Sequence, residues 1–118
     1  MDRLSEKRKT PRVEEKLPIK IMEGESGIVV ETKNISASGA YLIMDKPMPL
    51  MSKVMVVLLI PECEGKNNKV QCGGTVVRTS PTTLNDKTLY ETAIFFDDIT
   101  EKTKNIISKH VKTVMGQS

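Results

Sequence analysis

Residues 28–44, Ile28-Val-Val-Glu-Thr-Lys-Asn34-Ile-Ser36-Ala-Ser-Gly39-Ala-Tyr-Leu-Ile-Met44, decide the fold. Ile28 to Asn34 and Gly39 to Met44 are rich in β-branched and aliphatic residues and too short for helices, so they read as two strands. Ile35 to Ser38 make the bend between them. Asn34 and Ser36 are two apart, so in an extended chain they share a face and offer an amide beside a hydroxyl. Gly39 lets the backbone turn sharply or a ligand come close. Asn, Ser and Gly are equally the ordinary residues of a turn, a reading that needs no ligand.

Working outward, Leu17 to Met22 is a strand whose Pro18 suits a strand start, and Glu23 to Gly27 make the next turn. After the loop Lys46-Pro-Met-Pro-Leu-Met, the run Val54 to Ile60 is apolar throughout and is expected to be buried on both faces or under a helix. Val70 to Arg78 and Thr88 to Phe96 complete the strands, joined by a loop over Thr79 to Lys87 with turn chemistry. Short, evenly spaced strands without βαβ alternation indicate an all-β, mostly antiparallel barrel or sandwich. Closure into a barrel also hides the edges. The period then changes. Ile99, Thr103, Ile106, Ile107, His110, Val111, Val114 and Met115 recur at helical spacing, so a C-terminal α-helix is expected, with Asp98 and Glu101 at its capped start.

A chain of 118 residues fits one domain. Tyr41, Tyr90, Phe95 and Phe96 are its aromatics, so the core rests on Val, Ile, Leu and Met. The net charge of +3 is localised: Arg3, Lys7, Arg8, Lys9 and Arg12 face Asp2 and Glu6 at the N-terminus, while the two signs balance from Val13 onward. Residues 1–16 therefore read as a flexible basic arm with an anionic partner, and residues 17–118 as the barrel with its helix. Arg8 and Arg12 are four residues apart, up to about 13 Å in an extended chain. Their planar guanidinium groups match phosphates or the O6 and N7 edge of guanine.

Other chemistry is thin. No signal peptide or spanning helix is visible, so a cytoplasmic protein without membrane insertion is expected. Cys63 and Cys72 are nine apart, without zinc or redox spacing, and read as reduced thiols. His110 has no catalytic or metal-binding companion, so neither catalytic nor metal site is expected and the chain is not read as an enzyme. Asp97 and Asp98 read as helix caps, Arg78 as a strand-end surface residue, and Met44, Met48, Met51 and Met55 as core filling.

Arg8-Lys-Thr-Pro-Arg12 and Asn34-Ile-Ser36-Ala-Ser-Gly39, followed by Gly74-Thr-Val-Val-Arg78 and Tyr90 to Phe96, resemble the PilZ domain family across nearly the whole chain. The family's RxxxR and [D/N]xSxxG motifs both stand complete, in order, with a strand between them. The resemblance implies a six-stranded antiparallel PilZ-type β-barrel and a receptor for cyclic di-GMP that needs no other cofactor. It implies that Arg8 and Arg12 hold the guanine edges and phosphates, that Asn34 and Ser36 supply hydrogen bonds, and that Gly39 gives room. Lys7 and Lys9 would be accessory, Lys7 at a position linked in the family to binding one ligand molecule or two. The family often has Gly and Arg where this chain has Ala93 and Phe95, so an extra cationic contact from that strand is not implied. The expected output is a signal to a downstream partner protein. Two other readings stand beside it. One is a PilZ-like protein-interaction module without nucleotide binding, against which the intact motifs argue. The other is a small nucleic-acid-binding barrel, which would need exposed stacking aromatics.

Overall fold

A strand that buries one face alternates, and β2 (Pro18–Glu23) does so, with Ile19 and Ile21 buried and Pro18 and Lys20 exposed. In the computed structural model, which describes residues 12–13, 16–61 and 67–116, the remaining strands are β1 (Arg12–Val13), β3 (Ser26–Ser36), β4 (Gly39–Met44), β5 (Lys53–Pro61), β6 (Asn67–Leu84) and β7 (Lys87–Asp98). One helix follows, α1 (Glu101–Gly116). Every pairing is antiparallel. The sheet runs β3-β2-β5-β6-β7-β4, and β4 pairs back to β3, so β2 to β7 close into the expected six-stranded barrel. β1 is added beside the far end of β3.

The core is aliphatic, as the shortage of aromatics requires. Ile19, Ile35, Leu42, Val56, Leu58 and Ile94 are essentially sealed from solvent, and α1 packs Ile107 and Val111 into the same cluster. Burying each such side chain stabilises the fold by about 1.5–3 kcal/mol. The helix starts one residue after Thr100, whose Oγ1 accepts the backbone N–H of Thr103 at 3.1 Å. Thr100 is therefore the cap, in place of Asp98, because β7 continues through Asp98. No described helix is long and apolar enough to cross a membrane.

Several local expectations are corrected. β5 is not buried on both faces: Val54, Val56, Leu58 and Ile60 are buried, whereas Met55 and Leu59 are exposed. Its outer face is simply apolar as well. Of the methionines read as core, Met44 and Met48 are buried and Met51 and Met55 are not. The expected loop over Thr79 to Lys87 is mostly strand, reduced to the two-residue turn Asn85-Asp86 at φ 53° and 63°. That is type I′ geometry, whose twist matches a hairpin. Pro81 is tolerated there because β5 pairs only with Asn67 to Thr75, leaving this part of β6 an edge. Within the segment read as an arm, Arg12 and Val13 form β1. Cys72 is a buried free thiol, and Cys63 lies outside the described residues.

Candidate functional site

Alternation from Thr32, which is buried, would point Asn34 into the core as well. It does not, because the β3–β4 register shifts at Lys33: Thr32 pairs with Leu42, but Asn34 pairs with Tyr41. An extra residue of this kind re-aims the side chains that follow it. Asn34 is thereby turned to the outer wall, half-buried, while Ile35 returns to the core. A second shift, at Val77 in β6, does the same for Arg78. Val76 is buried opposite Ile94, and Arg78 is exposed opposite Ala93. The outcome is one transverse row on the outside of the barrel, Asn34-Tyr41-Ala93-Arg78, crossing β3, β4, β7 and β6.

The neighbouring row is Arg12-Ser36-Gly39-Phe95, crossing β1, β3, β4 and β7. The structure thus brings Arg12, from the basic segment, alongside the Asn34 to Gly39 motif, as Cα partner of Ser36. Arg8, Lys7 and Lys9 lie outside the described residues. The β3 strand runs on through Ser36, and Ala37-Ser38 alone make the turn, so Asn34 and Ser36 do share a face as their spacing suggests. Ser36 is fully buried, and its Oγ accepts the backbone N–H of Ser38 at 3.1 Å and shares a 3.0 Å hydrogen bond with Ser38 Oγ. Ser38 in turn offers its carbonyl to the N–H of Phe96 at 2.9 Å, which ties the turn to β7. A Cβ on Gly39 would collide with the carbonyl oxygen of Ile94. Ser36 and Gly39 therefore have structural work to do before any ligand is considered.

Polar groups beyond Asn34 hold the rest of the wall. The carboxylate of Glu91 stands 3.8 Å from the guanidinium of Arg78 and is hydrogen-bonded by Tyr41. Burial, then Glu91, pushes the Tyr41 phenol above its ordinary pKa, so it remains a neutral donor. Further along β7 on this face, beyond Phe95, Asp97 accepts from the Thr75 hydroxyl and pairs with Lys53 Nζ at 2.9 Å, which joins β7 to β6 and β5. Those two contacts, Thr75 first, lower the Asp97 pKa. Asp97 is thus a cross-strand tie and not a helix cap. Arg78 lies within β6 and not at its end, since β6 reaches Leu84. Tyr41 and Phe95 were readable as outward by alternation, Tyr41 against Leu42 and Phe95 against Phe96, but their place beside Asn34 depends on the register.

A family model described as PilZ domain matches residues 6–112. No curated protein sequence matches the chain. Solved structures that share the fold include the following three. The Bacillus subtilis inhibitor of motility, MotI/DgrA, aligns with a TM-score of 0.81 at 16% identity over 92% of this chain and 51% of its own. The PilZ domain of YcgR from Escherichia coli, solved with c-di-GMP, gives 0.71 at 9% identity and 92% coverage of both chains. The K. pneumonia MrkH–c-di-GMP complex gives 0.71 at 16% identity, covering 92% of this chain and 52% of MrkH. The chain spans about half the length of MotI and MrkH.

Proposed function

Because the chain belongs to the PilZ domain family, its model matching residues 6–112, we propose that it is a cyclic di-GMP receptor and not an enzyme, working in the cytoplasm. The observation that carries this reading is the register that sets Arg12 beside Ser36, with Asn34 turned out of the core one position away. The nature of the ligand is supported by YcgR and MrkH, whose structures contain c-di-GMP. Arg8 and Arg12 grip guanine edges and phosphates, and Lys7 and Lys9 add positive charge nearby. Asn34 supplies hydrogen bonds from the barrel, while Ser36 and Gly39 hold the turn that presents it.

In this reading residues 1–16 are an arm, pinned to β3 at Arg12 and Val13, whose remainder the ligand draws onto the barrel formed by residues 17–118. The ordered arm and the bound dinucleotide change the surface offered to a downstream protein. The test is thermal unfolding with increasing cyclic di-GMP, since a ligand that binds only the folded state raises the melting temperature with concentration. A dose-dependent rise with cyclic di-GMP and none with GTP is expected. Limited proteolysis adds the arm: cleavage near Lys7 to Arg12 should slow when ligand is present, and an unchanged rate would contradict the ordering step.

A second reading, a protein-interaction module, is favoured by the outer face of the adjacent strands β3, β2 and β5, where Val29, Met55 and Leu59 are exposed. The two readings separate on whether the chain binds cyclic di-GMP at all.

A further inference from the structure

We propose that Phe95 is the stacking platform for a purine base of the bound dinucleotide, and so a ligand-binding residue of the site outside the two motifs. This rests on the receptor reading above. Phe95 is 49% exposed on the outer wall although its neighbour Phe96 is buried, so β7 holds one of the chain's few aromatics out in water. It stands at the end of the row Arg12-Ser36-Gly39-Phe95. Of the two residues between Arg12 and Phe95, Gly39 has no side chain and the Ser36 hydroxyl is spent inside the turn. The row thus runs from a basic strand at one end to an aromatic at the other.

The spacing suits a nucleotide. Adjacent strands lie about 4.8 Å apart, so Phe95 is roughly 14 Å along the wall from Arg12. A ligand held through its phosphates from the β1 side spans that distance with a base at the ring. Tyr41 lies diagonally next to Phe95, since it pairs with Ala93 two residues away, and its hydroxyl is anchored by Glu91. Tyr41 thus stands one row away on the same outer face. Stacking on an aromatic face is selective for flat bases and indifferent to charge, and its removal from a base contact typically weakens binding by about five- to hundredfold.

The chain has no tryptophan, so F95W introduces a single indole at the proposed contact. With cyclic di-GMP as the probe, this variant should bind about as tightly as wild type and show saturable quenching of its emission. F95L, which keeps an apolar side chain at a half-exposed position but lacks a π face, should lose about five- to hundredfold in affinity. Wild-type affinity in F95L, or an F95W variant that binds without any change in emission, would overturn the stacking role and leave the receptor reading standing. Absence of binding by the wild-type chain would overturn both.

Discussion

Gly39 lies directly opposite Phe95 in the β4–β7 pair, and the β7 backbone approaches it so closely that a side chain at position 39 would strike the carbonyl oxygen of Ile94. The glycine of the motif is therefore first a packing residue. Gly39→Ala should cost about 1–3 kcal/mol of stability without any ligand, because backbone and not a flexible side chain has to yield. Ser36→Ala should cost about 1 kcal/mol, having removed the acceptor for the Ser38 N–H. Urea denaturation of the ligand-free proteins checks both, and a Gly39→Ala protein as stable as wild type would show that the strands can part at no cost.

Asp97 ties three strands through Thr75 and Lys53, and those contacts lower its pKa. A carboxylate whose pKa is depressed by folding contributes stability above its unfolded value, and that contribution is lost as pH falls through the folded value. Asp97→Asn should therefore be less stable than wild type at neutral pH, with the difference shrinking as pH drops below about 4. Lys53→Met should have the smaller effect, since the Lys53 side chain is mostly exposed and its ion pair is screened. Denaturation midpoints across this pH range give the comparison, and a difference that does not change with pH would contradict the role of the charge.

Cys72 sits in the core wall, and burial, with Asp98 and Asp97 nearby, pushes its thiol up to about 11. Folding raises this acid's pKa from 9.0, so the unfolded chain ionises first as pH rises. Stability should accordingly fall between about pH 9 and pH 11, and less so in Cys72→Ala, which has no group to ionise. Iodoacetamide should label Cys72 at neutral pH only as fast as the protein unfolds; rapid labelling of the native state would show the thiol to be accessible.

The barrel was legible because its strands alternate or carry β-branched runs, and the helix because Ile99, Ile106, Ile107 and Val111 break that period. The wall of the site was not. Thr32 and Asn34 are two apart and should share a face, yet one is in the core and the other outside, because the extra residue Lys33 exists only relative to the pairing with β4. The same holds for Val76 and Arg78 against β7. Nor could composition tell that one face of Val54 to Ile60 is exposed, since both faces are apolar. The helix cap moved from Asp98 to Thr100 for a related reason: either residue caps well, and the length of β7 decides between them.

The central claim, that this barrel binds cyclic di-GMP between its basic segment and the Asn34 to Gly39 turn, is tested most directly by isothermal titration calorimetry of the chain with cyclic di-GMP. Arg8→Ala and Asn34→Ala variants and a GTP titration belong in the same experiment. The account predicts saturable binding by wild type, lost or weakened at least tenfold in both variants, and no binding of GTP. A folded wild-type protein that releases no binding heat at several temperatures, or variants that bind as tightly as wild type, would contradict it.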